Sequence, residues 1–200
     1  MTDDIELSKS ILGYNNCLDI YRILLKYNLK PLFSDHETIY YDDVYCMMKF
    51  NEDVNGKRAD MGRTMLKEIK DWSELFEDRK DDLLKCLIIN QDPVIMAKAR
   101  EELETYPELE IVSALKDSFE IMYRGVSKGE AVKIVAKHYG ITKDEVMCIG
   151  DGENDLTMIK YAGIGVAMGN AEDCLKEHAN YITADNNLDG LAKAIESHVL

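Results

Sequence analysis

The sequence predicts an α/β protein in two parts: an α+β layer over residues 1–120, then a parallel sheet with flanking helices over residues 121–200. Three observations carry this. From Gly125 onward, short apolar runs alternate strictly with helical patterns, as in parallel strands joined by crossover helices. Before that point helices and strands come in mixed order and end in a hairpin pattern, which fits an open-faced α+β layer. Finally, the apolar run Val146-Met147-Cys148-Ile149 stops at Gly150-Asp151-Gly152, so a buried strand delivers a carboxylate to its C-terminal end, where open α/β sheets place their ligands. The boundary falls near Glu120 to Lys128.

Taken in order, Asn16 to Tyr27 carries apolar residues at helical spacing (Leu18, Tyr21, Ile23, Leu24, Leu25), and Asn28 stops that helix. Pro31-Leu32-Phe33 and Thr38-Ile39-Tyr40-Tyr41 read as strands. Asp42 and Asp43 are caps for a helix over Val44 to Phe50, the polar stretch Asn51 to Arg63 reads as loop, and Trp72 to Asp78 as a short acidic helix. Leu84 to Ile89 is a strand. Asp92-Pro93 opens a helix, with Asp as cap and Pro at the first helical position, that runs to about Thr105. Leu109 to Ala114 and Ser118 to Tyr123 form a hairpin around Lys116-Asp117. In the second part Ser127 to Tyr139 is a helix stopped by Gly140, Val146 to Ile149 a strand, and Glu153 to Ala162 a helix stopped by Gly163. Strand Ile164 to Met168, helix Asn170 to His178, strand Tyr181 to Thr183 and helix Leu188 to His198 complete the chain. This part holds too few strands to make a doubly wound sheet alone.

Composition narrows the function classes. A formal net charge of −14 argues against non-specific binding to nucleic acid or anionic membrane, yet leaves an anionic substrate open, because a bound cation inverts the charge of a small site. Five cysteines, odd in number and without a C-x-x-C pair, argue against a disulfide framework or zinc knuckle and fit a reducing cytoplasm. No apolar run is long enough to span a bilayer.

The chemistry concentrates in Gly150-Asp151-Gly152-Glu153-Asn154-Asp155. Glycines permit a tight turn and close approach to a ligand, and two carboxylates four residues apart on a strand-to-helix turn suit a hard cation such as Mg²⁺. The plainer reading is an Asp- and Asn-rich helix cap. Lys128, at an earlier strand-to-helix junction, suits a phosphate as a point charge; alone it is a solvated lysine. Gly165 to Ala171, GVAMGNA, is a strand and a turn bordering the same end of the sheet, foremost a packing turn. The four histidines show no metal-ligand or triad spacing, and Tyr40, Tyr41 and Tyr45 read first as core and surface filler.

Lys128-Gly129, GDGEND, GVAMGNA and the terminal Tyr181-Ile182-Thr183…Leu188-Asp189-Gly190-Leu191 resemble, in order and spacing, the haloacid dehalogenase superfamily, and most closely its Cof-type branch of sugar-phosphate and cofactor phosphatases. The match is dense from about Glu120 to Leu200. It implies that residues 121–200 are part of a Rossmann-like core, and that residues 1–120 are the α/β cap domain that governs substrate choice. It further implies a Mg²⁺-dependent phosphatase of small phosphorylated metabolites working through an aspartyl-phosphate, with Asp151 and Asp155 at the metal, Lys128 on the phosphate and nucleophile, and Asn154 near the metal shell or phosphate. The family's Asp-x-Asp-Gly-Thr nucleophile motif is absent from these 200 residues. The expectation is therefore a chain lacking the N-terminal core strands and inactive alone, either complemented by an N-terminal fragment or self-associating. The other reading is a non-catalytic chain that binds a phosphorylated ligand or a partner. Asp35, in Ser34-Asp35-His36-Glu37-Thr38, mimics the motif superficially and is expected to be a strand or turn residue.

Overall fold

The computed structural model describes residues 5–44, 65–113 and 117–199. Of the helix expected over Val44 to Phe50, residues 45–50 lie outside them, as do the loop expected over residues 51–63 and residues 114–116 at the hairpin tip. The chain divides into two compact units, Lys9–Arg124 and a second formed by residues 125–199 with residues 5–8.

The first unit is a six-stranded sheet with helices packed on one face. Its elements are α1 (Tyr14–Lys26), β1 (Pro31–Ser34), β2 (Thr38–Tyr41), β3 (Met65–Glu68), α2 (Trp72–Asp78), β4 (Lys85–Ile89), α3 (Pro93–Leu103), β5 (Leu109–Val112) and β6 (Ser118–Tyr123), with sheet order β3-β2-β1-β4-β6-β5. All pairs are antiparallel except β2 with β3. In β4, Cys86 and Ile88 are buried while Lys85, Leu87 and Ile89 are only half-buried, so one sheet face meets the helices. That face carries Phe33, Cys86, Ile88 and Ile121 against Leu24 of α1, Phe76 of α2 and Leu103 of α3. Phe33, Trp72 and Phe76 pack with ring centroids 4.9–5.7 Å apart in tilted and edge geometries. Local chemistry sets the helix ends. Asn28 adopts φ 52° after α1, Asp71 accepts from the N–H of Ser73 and Glu74, and Asp92 accepts from the N–H of Val94 and Ile95 ahead of Pro93.

Strand β3 lacks a sequence signal. Its residues are mostly exposed, and it is held at the sheet edge by backbone pairing with β2, so it needs no apolar alternation.

The second unit is a three-stranded parallel sheet, β7 (Met147–Gly150), β8 (Ile164–Ala167) and β9 (Tyr181–Ile182), in that order. Its helices are α4 (Lys128–Tyr139), α5 (Leu156–Tyr161), α6 (Asp173–Lys176) and α7 (Gly190–His198). Ser127 caps α4, and Gly140 ends it at φ 68°. The core gathers Cys148, Ile159, Ala167, Ala171 and Leu175. Here three helices are shorter than the periodicity predicts. Residues Glu153–Asp155 form a 3₁₀ turn before α5, because the Asp155 side chain turns back to the preceding backbone. Residues 170–172 stay out of α6, since the Asn170 amide and the Glu172 N–H both bond Asp151. Helix α7 begins only at Gly190, after a 3₁₀ turn and an Asp189 in the left-handed region at φ 57°.

Candidate active site

The C-terminal ends of β7, β8 and β9 converge with the start of α4. Four-residue pairing of β7 with β8 runs to Gly150 opposite Ala167, and Met168 N–H extends it by donating to the Gly150 carbonyl at 2.9 Å. The first residue beyond β7 is Asp151, with an exposed side chain. Its Oδ2 accepts from Asn170 Nδ2 at 3.0 Å, and its backbone carbonyl accepts from Glu172 N–H at 3.0 Å. Among the described residues nothing bonds Oδ1.

Asp155 behaves differently. It is 4% exposed. Its Oδ2 accepts from the N–H of Asp151 at 2.9 Å and of Gly152 at 3.2 Å, and its Oδ1 pairs with Lys128 Nζ. Both oxygens are committed, so this carboxylate shapes the turn and tethers the lysine. Gly150 makes room for it: a Cβ there would stand 2.5 Å from the Asp155 Cβ. Lys128 keeps a half-exposed ammonium. Its backbone is fixed by its neighbour Gly129, whose N–H donates to Thr157 Oγ1 at 3.0 Å and whose missing Cβ would meet the Thr157 backbone at 2.6 Å. Asn154 sits half-buried on the same turn, without a side-chain hydrogen bond among the described residues.

The structure thus brings Lys128, Asp151 and Asp155 onto one cleft of about 680 Å³. Asn186, Asp189 and the apolar Met158, Met168 and Leu191 also line it. Met168 belongs to the GVAMGNA stretch, and Asp189 and Leu191 to the terminal stretch, that the sequence singled out without giving these residues a role; Met158 and Asn186 escaped the sequence reading, and the place of Asn186 on the cleft depends on β9 joining the sheet. The cleft offers a lysine ammonium and carboxylates, groups that can hold an anion and a divalent cation. A hard carboxylate oxygen at Asp151, with no histidine among the described residues that line the cleft, fits Mg²⁺. Among the described residues no three acidic, histidine or cysteine side chains cluster closely enough to hold a metal alone. Mg²⁺ ordinarily takes one or two protein carboxylates and completes its shell with water and phosphate oxygens. The thiol of Cys148, on β7, is pushed up by burial and by the Asp155 carboxylate, so it stays protonated and chemically quiet.

Asp35 lies far from this chemistry in kind. Its side chain is buried at the turn after β1 and accepts from Glu37 N–H (2.9 Å), Thr38 N–H (2.7 Å), the Tyr40 hydroxyl (2.8 Å) and Arg79. Burial would raise its carboxyl, but these four donors together hold it below the ordinary carboxylate range. A carboxylate with its lone pairs so occupied is a structural hub of the turn.

Comparison with known proteins identifies the family. The family description haloacid dehalogenase-like hydrolase matches residues 2–195. The chain is 46% identical over 110 residues to the 5-amino-6-(5-phospho-D-ribitylamino)uracil phosphatase YcsE of Bacillus subtilis, a match covering 55% of this chain and 44% of that protein. It is 32% identical over 201 residues to the putative phosphatase YxeH of the same organism, covering 97% of this chain and 69% of that one. The chain therefore spans less than half of the first relative and about two thirds of the second. Among solved structures, a haloacid dehalogenase-like hydrolase from B. subtilis superimposes with a TM-score of 0.78 at 26% identity, over 93% of this chain and 70% of that one. One from Bacteroides thetaiotaomicron gives 0.73 at 29% identity, over 94% and 68%. Among the described residues no helix is long and apolar enough to cross a membrane.

Proposed function

The chain belongs to the haloacid dehalogenase-like hydrolases, and from that premise we propose that it serves a Mg²⁺-dependent phosphatase acting on small phosphorylated metabolites. The observation that carries this is the convergence of Lys128, Asp151 and the inward-turned Asp155 on one cleft at the ends of parallel strands. In this reading Asp151 gives its free oxygen to the cation, and Lys128 holds a phosphate oxygen. Asp155 supports both, through its backbone bonds and its pairing with the ammonium. Asn154 stands beside them for the metal shell or the phosphate. The bound Mg²⁺ would supply charge neutralisation at the phosphate. The reaction also needs a carboxylate that attacks phosphorus, displacing the alcohol and forming an aspartyl-phosphate that water then cleaves. No Asp-x-Asp pair occurs in these 200 residues. We assign the nucleophile elsewhere and expect little turnover from this chain alone.

The unit Lys9–Arg124 is the cap in this proposal, with substrate choice residing in its loops. Similarity to phosphatases such as YcsE supports a small phosphorylated substrate, and the acidic balance of the chain supports neither nucleic acid nor membrane as a partner. The four cysteines among the described residues are free thiols, which fits a reducing cytoplasm.

The test is phosphate release from an aryl phosphate with and without Mg²⁺, by the chain alone and with an added polypeptide bearing the Asp-x-Asp-Gly-Thr strand. Release only in the reconstituted sample, lost in Asp151→Asn and Lys128→Ala, is the expected result. Metal-dependent release that survives Asp151→Asn would sink the assignment. No release under any condition would favour a chain that only binds a phosphorylated ligand or a partner.

A further inference from the structure

The turn after β8 does more than pack. Asn170 uses both ends of its amide across three strand ends. Its Nδ2 donates to Asp151 Oδ2, beyond β7, at 3.0 Å. Its Oδ1 accepts from the backbone N–H of Asn186, beyond β9, at 3.0 Å. The acceptor end of the amide is thereby committed to a backbone donor, which leaves only the donor end to face the carboxylate; a flipped amide would set two oxygens against each other and two donors together. The same turn grips the backbone on either side of the Asp151 Cα, with Met168 N–H on the Gly150 carbonyl and Glu172 N–H on the Asp151 carbonyl. Asp151 is exposed, and an exposed aspartate held by nothing samples several rotamers. Here one oxygen is tied and the other is left without a partner among the described residues.

We infer that Asn170 is a positioning residue for Asp151: its amide fixes Oδ2 so that Oδ1 stays presented to the cleft. This rests on the proposed role of Asp151 as the cation ligand. It follows the general pattern in which a metal-ligating carboxylate is itself hydrogen-bonded, and loss of such a partner costs about tenfold or more in metal affinity.

Two readouts on the 200-residue chain separate this from the reading beneath it. The first is the Asp151 side-chain rotamer without metal, from NMR three-bond couplings. A single χ1 in the wild type and averaging in Asn170→Ala is expected. Averaging in both, or one rotamer in both, would overturn the inference. The second is Mg²⁺ titration by calorimetry. Asn170→Ala should weaken binding about tenfold, whereas Asp151→Asn should abolish it. If Asp151→Asn binds Mg²⁺ like the wild type, the ligand assignment fails, and the rotamer result still decides the role of Asn170. If Asp151→Asn abolishes binding and Asn170→Ala leaves it unchanged, the positioning role fails alone. Thermal unfolding within a few degrees of the wild type verifies that Asn170→Ala is folded.

Discussion

At the residue scale the two hubs, Asp35 and Asp155, show how a buried carboxylate can be structural. Asp35 keeps its charge because four donors converge on it. Its folded-state carboxyl lies below the usual value, so its contribution to stability is complete above about pH 4 and is lost as pH falls toward the depressed folded value. Unfolding free energies of wild type and Asp35→Asn, measured from pH 7 to pH 2, should therefore converge below about pH 4. A gap that stays constant over that range would contradict the ionised hub. Arg79→Met strips one donor from this buried group and should cost about 1–3 kcal/mol by urea unfolding. At Asp155 the critical neighbour has no side chain. Gly150→Ala would press a methyl onto the Asp155 side chain, 2.5 Å from its Cβ and 2.6 Å from Oδ2, displace the carboxylate from the Asp151 and Gly152 N–H groups, and destabilise by about 1–3 kcal/mol.

At the element scale, helix ends place the chemistry. Helix α4 starts at Lys128 because Ser127 accepts from the Glu130 N–H at 3.1 Å. Removing that cap in Ser127→Ala should cost about 1 kcal/mol in chemical denaturation. At the other end Gly140 has φ 68°, and Gly140→Ala should cost about 1–2 kcal/mol from the left-handed backbone alone. Most elements were legible at this scale: Asp92-Pro93, Asp71 and Gly140 announce their helix ends through backbone chemistry that operates within a few residues. The failures share a cause. Helix α5 is shortened by the Asp155 side chain turning back onto its own turn, α6 and α7 by groups that bond across strand ends, and β3 is recruited by a neighbour rather than by its own pattern.

At the scale of the whole molecule there are two cores, one around Phe33, Phe76 and Ile88 and one around Ile159 and Leu175. Each belongs to a different compact unit. Phe33→Ala should cost about 3–5 kcal/mol, and hydrogen exchange should speed most in β1, β4 and β6. Ile159→Ala should instead release β7 and β8. Equal loss of protection everywhere from either substitution would mean that the two cores unfold as one. The similarity to haloacid dehalogenase-like hydrolases spans both units, since the family match runs from residue 2 to 195.

By itself the sequence determined the alternation of strands and helices after Gly125, the carboxylate at the tip of β7, the lysine that opens α4, and the family. These follow from local periodicity, caps and a motif whose residues are neighbours in the chain. Only the tertiary structure decided what each group does there. It turned Asp155 inward onto Lys128 and two backbone N–H groups, left one oxygen of Asp151 open, and drew Asn170, Asn186 and Asp189 to the same end of the sheet. The physical reason is that parallel pairing of β7, β8 and β9 brings together loops separated by 15 or more residues, and hydrogen-bond partners at that separation leave no periodic trace in the chain.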